Sequence, residues 1–344
     1  MGNEQFVASA DERFPHGLPS ASLDAAALAA VGRDAADQLA ELIRAESVNP
    51  PGNETRGALF IKAILDREGI PSEILALEKD RGSLVARLKG NGKNKPLLLM
   101  GHTDVVGVER EKWTVEPFGG VVKDGWVYGR GALDDKGMTT AFLEIFLLLH
   151  RHKVPLDRDV IFLAESGEEA DTTGVGINFM VNQHFGAIDA EYCYAEGGSV
   201  RRDGGRVRYA QIQTVEKIPK GMDLIAHGPA GHGSVPLTTN AVVRLSKAVA
   251  IIADWRPPIM LNDTTAAYFR RLAALSPPDV AKRYTDVLSL DPKVSEPADT
   301  YMREREPGHA SLLRTSISPN IVQGGYRNNV IPSEARATLD VRMV

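Results

Sequence analysis

Four short clusters in this 344-residue chain carry side chains able to hold a cation: Gly101-His102-Thr103-Asp104, Asp134-Asp135, Glu165-Ser166-Gly167-Glu168-Glu169 and Glu196-Gly197-Gly198. Imidazole and carboxylate are ordinary zinc ligands. Carboxylates gathered at one place repel each other unless a cation neutralises them. Residues two apart on an extended strand share a face, so Asp104 either binds metal beside His102 or orients its imidazole. Taken singly, each cluster has a plainer reading. His102 could be a hydrogen-bonded core histidine, Asp134-Asp135 a helix cap, Glu168-Glu169 a solvated turn and Glu196 a surface carboxylate. Four in succession point instead to a metal centre.

Each cluster needs an element to place it, and the apolar runs supply them. Residues 96–100 form a short apolar run that reads as a buried central strand, with His102 just beyond its end. Residues 159–164 and 191–195 read as two further buried strands, ending just before Glu165 and Glu196. The Asp134-Asp135 pair opens a helix over residues 136–150, where negative charge is favoured. Open α/β sheets bind ligands outside the carboxyl ends of their strands. The spacing also predicts helices over 23–45 and 55–67, strands near 74–77 and 83–88, and a hairpin over 121–128 turned at Asp124-Gly125. Asn49-Pro50-Pro51-Gly52 stops the first helix. Strands alternating with helices predict an α/β sheet covered on both faces. Beyond about residue 215 the pattern changes. A strand at 222–227, helices at 240–255, 264–275 and 279–290, and strands at 311–318, 321–326 and 334–343 predict a small α+β domain.

Hydrophobic content of 43% and charged content of 25% are those of an ordinary globular protein. A net charge of -5 argues against nucleic-acid and membrane-surface partners. Cys193 is the single cysteine, so there is no intrachain disulfide framework. No signal peptide is visible, and a cytoplasmic location is expected.

The motifs GHTDVV, WTVEPFGG, YGRGALDDKG, ESGEE and AEGG occur in the order and approximate spacing of a known zinc metallopeptidase and amidohydrolase family. The chain resembles the family of aminoacylase, succinyl-diaminopimelate desuccinylase, carnosinase and carboxypeptidase G, and within it the carboxypeptidase S-like subgroup. The resemblance implies a zinc-peptidase-like α/β/α catalytic domain with an inserted α+β lid and dimerisation domain. Its domain plan is a flexible N-terminal arm over 1–22, the first part of the catalytic domain over 23–215 and the lid over 216–343. It implies two Zn²⁺ ions per subunit in the complete fold, with Co²⁺ or Mn²⁺ as alternatives. By motif position His102 is a metal ligand with Asp104 orienting it. Asp134 bridges the two metals, Glu168 is the general base, Glu169 binds the second metal and Glu196 completes the first. The segment Gly228-Pro229-Ala230-Gly231-His232-Gly233-Ser234 resembles the lid motif, whose histidine steadies an oxyanion; that residue is His232. Asn329 and Arg342 match the residues that bind a substrate carboxylate. The family's further histidine ligand lies after the lid, where this chain ends at Val344. The expectation is therefore a chain lacking the last part of its catalytic domain.

The implied chemistry is hydrolysis of an amide or peptide bond next to a free carboxylate, in short peptides or N-acyl-amino acids, by a subunit that pairs through its lid into a homodimer. A non-catalytic metal-binding or dimerising protein of the same descent is the alternative. A single-metal peptidase of another fold would need a pattern such as His-Glu-x-x-His, which the sequence lacks.

Overall fold

The computed structural model describes residues 25–169 and 174–344; the arm expected over 1–22 lies outside them. The chain forms two compact units, one ending at Gly197 and the other running from Gly198 to Val344.

The first unit holds α1 (Ala25–Arg44), α2 (Thr55–Arg67), β1 (Ser72–Ala76), β2 (Gly82–Leu88), β3 (Leu97–His102), β4 (Val121–Lys123), β5 (Trp126–Tyr128), α3 (Lys136–Arg151), β6 (Val160–Glu165), α4 (Ile177–Gln183), α5 (Phe185–Ile188) and β7 (Tyr192–Tyr194). Its sheet runs in the order β1-β2-β6-β3-β7. The strands β6, β3 and β7 are parallel, while β1 and β2 join antiparallel. Period-two alternation divides its side chains between two cores. Leu84, Ala86, Leu99, Phe162 and Ala164 pack against Ile61 and Leu65 of α2 and Phe142, Phe146 and Leu147 of α3. Val85, Leu98, Ile161 and Leu163 pack on the opposite face against Phe179 and Met180 of α4 and Ile188 of α5. Each buried leucine, isoleucine, valine, phenylalanine or methionine among them contributes about 1.5–3 kcal/mol. The sheet is thus covered on both faces, as the alternation predicts.

Two local features place the chemistry. The parallel register sets His102 opposite Glu165, so the ends of β3 and β6 fall side by side. Gly101 lets α3 approach β3 directly: a Cβ there would lie 2.4 Å from Thr139 Oγ1 and 2.9 Å from Asp135 Oδ2. The expected hairpin forms, with Asp124 and Gly125 both at positive φ, as a two-residue turn demands.

The second unit begins with the hairpin β8 (Ser199–Asp203) and β9 (Arg206–Gln211), followed by β10 (Ile218–His227), β11 (Gly231–His232), α6 (Ala241–Asp254), α7 (Asp263–Ala274), α8 (Pro278–Asp286), α9 (Pro292–Arg305), α10 (Pro307–Leu312), β12 (Ser316–Gly324), β13 (Val330–Ile331) and β14 (Glu334–Met343). Antiparallel strands β10-β14-β12 form a sheet that packs on α6 through Leu245, Ala335, Ala337, Leu339 and Val341. Helices α7 to α10 enclose a second core around Phe269, Tyr284, Met302 and Leu313.

Three expectations are corrected. The strand read at 311–318 is the end of α10 followed by the start of β12. Pro307 in the first turn of that helix is the start signal that the apolar Leu312-Leu313 pair obscured. The segments 311–318 and 321–326 are not two strands, because β12 runs through Asn320 with one register shift between Pro319 and Ile321. Strand β7 is exposed rather than buried: among the described residues it lies at the sheet edge, paired with β3.

Candidate metal centre

Strand β3 delivers His102, and its backbone is held from both sides. Asp135 Oδ2 accepts from His102 N at 3.1 Å, and Thr139 Oγ1 donates to His102 O at 3.0 Å. The imidazole is 3% exposed, so its partners decide its state. Nδ1 lies 3.1 Å from Asp104 O and 3.4 Å from Asp104 Oδ1. Facing only acceptors, Nδ1 carries a proton and leaves Nε2 turned toward three carboxylates. Those are Asp134 Oδ1 at 3.1 Å, Glu196 Oε2 at 3.6 Å and Glu168 Oε2 at 3.9 Å. Donor atoms of His102, Asp134 and Glu196 all lie within 4.8 Å of one another. Ligands at about 2.0–2.2 Å from a tetrahedral zinc stand roughly 3.4 Å apart, so this spacing fits one ion. Residues from β3, the turn before α3, the loop after β6 and the loop after β7 therefore converge.

Glu169 enters differently. Its backbone N donates to Asp104 Oδ2 at 3.0 Å, and the neighbouring Glu168 N donates to Asp104 Oδ1 at 3.1 Å. Asp104 is fully buried and also accepts from Asn49 Nδ2 at 2.8 Å. One carboxylate thus faces the imidazole and carries the Glu168-Glu169 turn. Asp135 is likewise more than a helix cap: it is buried and faces the main chain of His102.

The electrostatics are those of an acidic cluster around one base. Burial disfavours a charged imidazole, but the bonds and charges of Asp104, Asp135 and Glu168 outweigh it and push His102 up to about 10. Burial raises Asp135 to about 7 and Glu165 to about 7. Burial, with the charges of neighbouring carboxylates, also raises Glu168 and Glu169. Burial works against the charged Asp104, yet bonds from His102, Asn49 and Glu169 keep it below the usual carboxylate range. Asp135 and Glu165 hold protons in the folded state at pH values where the unfolded chain has released them, so stability falls as pH rises from about 4 through 7. His102, raised above its ordinary 6.5, contributes stability that is complete below 6.5 and lost as pH climbs through 10. Chelator-treated protein should therefore melt progressively lower from pH 6.5 to about 8 in calorimetry, above which Lys136, lowered to about 8 by burial, works in the opposite direction. A flat profile would contradict the cluster as described.

In the second unit, β11 pairs with β13 in the register His232↔Val330. That brings His232 beside the Asn329 segment, whose carbonyl accepts from Gly233 N at 2.9 Å. Ser234 N donates to His232 Nδ1 at 3.2 Å, so Nε2 is the ring's free donor. Arg342 is not part of that group. It lies eight residues along β14 from Glu334, roughly 27 Å at about 3.4 Å per residue. Its Nε donates to both oxygens of Asp340, at 3.0 and 3.1 Å. The unit also has a cavity of about 580 Å³ whose lining includes Gln211, Lys217, Tyr268, Glu306 and His309, and it contains none of these expected site residues.

Comparison with known proteins accords with this geometry. Residues 98–314 match the sequence model of Peptidase family M20/M25/M40. The human N-fatty-acyl-amino acid synthase/hydrolase PM20D1 is 30% identical over 254 residues, which are 72% of this chain and 49% of that protein. The probable carboxypeptidase S-like 2 of Dictyostelium discoideum is 29% identical over 271 residues, covering 76% of this chain and 51% of its own. The chain thus spans about half the length of these curated relatives. A solved M20 family metallo-carboxypeptidase from Sulfolobus solfataricus, Sso-CP2, superposes with a TM-score of 0.65 at 20% identity, covering 90% of this chain and 71% of that one, and so shares the fold. With a family match over more than half of its residues, the chain belongs to peptidase family M20/M25/M40.

Proposed function

We propose that this chain is the metal-binding part of a hydrolase that cleaves an amide or peptide bond next to a free carboxylate. The observation that carries the reading is the convergence of His102 Nε2 on Asp134, Glu196 and Glu168. His102, Asp134 and Glu196 would hold one divalent cation, and Asp134 with Glu169 would contribute to a second. Zinc suits this nitrogen-and-oxygen donor set, with cobalt or manganese as alternatives. Such ions supply Lewis acidity, lowering the pKa of water and polarising a carbonyl.

The chain's own groups account for the remaining steps. Glu168 takes a proton from the attacking water and returns it to the leaving amine; its raised pKa brings it closer to working pH. Asp104 keeps the imidazole in the orientation that leaves Nε2 free. His232, with its Nε2 donor available, would stabilise the developing oxyanion. Asn329 and Arg342 would read the substrate's carboxylate. Arg342 and Glu334 stand at opposite ends of β14, and the proposal includes a homodimer in which the lid of each subunit serves the other. The relatives point the same way, because a carboxypeptidase substrate and an N-acyl-amino acid both place a carboxylate beside the bond to be cut. Among the described residues no helix is long and apolar enough to cross a membrane.

Elemental analysis combined with hydrolysis assays tests this. The metal-loaded protein should cleave N-acyl-amino acids or dipeptides and spare the matching C-terminal amides, since only the former carry the free carboxylate. Tight metal uptake with no hydrolysis of either would favour a metal-binding protein instead, and no uptake would overturn the reading altogether.

A further inference from the structure

The segment that stops α1, Asn49-Pro50-Pro51-Gly52, has no part in the chemistry proposed above, yet it reaches the site. Residues 47–49 run alongside residues 103–105 as a short ladder. Ser47 Oγ donates to Thr103 O at 2.5 Å, Val105 N donates to Ser47 O at 3.1 Å and Asn49 N donates to Val105 O at 2.9 Å. The ladder fixes the Asn49 backbone, and the side chain is 5% exposed. Among the described residues its amide donates to Asp104 Oδ2, at 2.8 Å.

That bond bears on two loops at once. Asp104 Oδ2 is shared between Asn49 Nδ2 and Glu169 N, while Oδ1 takes Glu168 N and lies 3.4 Å from His102 Nδ1. Each oxygen therefore faces donors from two sides. A carboxylate so placed has one orientation that serves all of them, and the Asn49 amide is the donor that comes from a separate segment, bridged to Val105. Without it, the carboxylate would be held only by His102 and by the two amides of the turn that it positions.

We propose that Asn49 is a positioning residue of the site, which acts through Asp104 to hold the imidazole of His102 and the Glu168-Glu169 turn in one fixed relation. The role rests on the hydrolase reading given above, but the brace itself is a matter of hydrogen bonds and can be measured apart from it. Partners of this kind, one bond removed from the ligands, are worth about ten- to hundredfold in metal affinity or turnover.

The test uses three variants of the full chain: Asn49→Ala, Asn49→Leu and Ser47→Ala. The leucine keeps the side-chain volume and removes the donor, so it serves if the alanine cavity prevents folding. Ser47→Ala weakens the same ladder without touching Asp104. Amide exchange followed by mass spectrometry should show the Glu168 and Glu169 amides exchanging about tenfold faster in both Asn49 variants, with α2 and α3 unchanged. Zinc affinity and kcat should drop about ten- to hundredfold, with KM within about threefold of the parent. Unchanged exchange at Glu168 and Glu169 overturns the proposal. So does an equal effect from Ser47→Ala, which would make the segment merely structural. Faster exchange with unaltered zinc affinity and kcat also overturns it, since the brace would then position nothing that matters. The hydrolase reading fails separately: if the parent neither binds zinc nor hydrolyses its substrates, the exchange result still decides whether Asn49 holds the turn.

Discussion

Glu168→Gln is expected to leave a protein that still takes up metal and turns over about 10²–10⁴ times more slowly. The substitution keeps the shape of the side chain and removes only its ability to accept and return a proton. Glu168 Oε2 stands 3.9 Å from His102 Nε2, farther than Asp134 or Glu196, and it is not in the three-residue group whose donors fit a common ion. The main-chain bond from Glu168 N to Asp104 does not involve the side chain, so the turn should survive. If Glu168 acts only in the transition state, kcat and kcat/KM fall together while KM stays near the parent value. Glu196→Gln makes the contrast. It removes a charge from the ligand group, so its defect should appear first as lost metal and should be eased by excess zinc. Metal analysis beside steady-state kinetics separates the two. Undiminished turnover in Glu168→Gln would remove the base from the mechanism, and metal loss in that variant would make Glu168 a ligand instead.

The elements that position these residues could largely be read from the chain, because their signals are local. The apolar runs ending at Met100 and Ala164 are short and uninterrupted, and are bounded by Gly101-His102 and by Glu165, a pattern that fits a strand buried on both faces. The helix over Thr55–Arg67 and the strand over Glu334–Met343 follow the same logic, with periods of 3.6 and 2. Failures occurred where a local signal was outweighed by a distant one. Tyr192–Tyr194 is apolar enough for a core, but its burial depends on what pairs with its outer edge. Helix α9 keeps Pro297 inside it, a residue that normally argues against a helix, and was not foreseen. The ligands themselves were legible as types at strand ends. Their braces were not: Asn49 and Asp104 are 55 positions apart, and Asp135 acts on the main chain of His102 from 33 positions away. Nothing in the identity of an asparagine before a proline tells which carboxylate it will meet.

The same limit applies to Arg81, whose loss should be the most damaging single change to stability outside the apolar core. Arg81 Nε donates to both oxygens of Glu54, at 3.0 and 2.7 Å, and the two side chains are 8% and 0% exposed. Glu54 stands at the N-terminal boundary of α2, and its side chain also accepts from Asn53 N at 2.9 Å. Arg81 sits just before β2, and its carbonyl accepts from Ser166 Oγ at 3.2 Å in the loop leading to Glu168. The turn is shaped around this pair: Gly52 has a φ of +101°, and a Cβ there would lie 2.2 Å from Arg81 Nε. A buried pair of this kind gives little net stability over an apolar pair of the same shape, but breaking it strands a charge. Arg81→Met should therefore cost about 3–5 kcal/mol. The double variant Arg81→Met, Glu54→Leu should recover much of that, because neither charge is then left without its partner. Lys62→Ala provides the scale, since it breaks an exposed i,i+4 pair with Asp66 and should cost under about 1 kcal/mol. Denaturant titration of these proteins, with Glu54→Leu added to close the cycle, measures the coupling directly. If Arg81→Met costs no more than Lys62→Ala, the pair is not what ties α2, β2 and the Ser166 loop together. If the double variant recovers stability but not turnover, the ion pair is kept for the placement of Glu168 rather than for the fold.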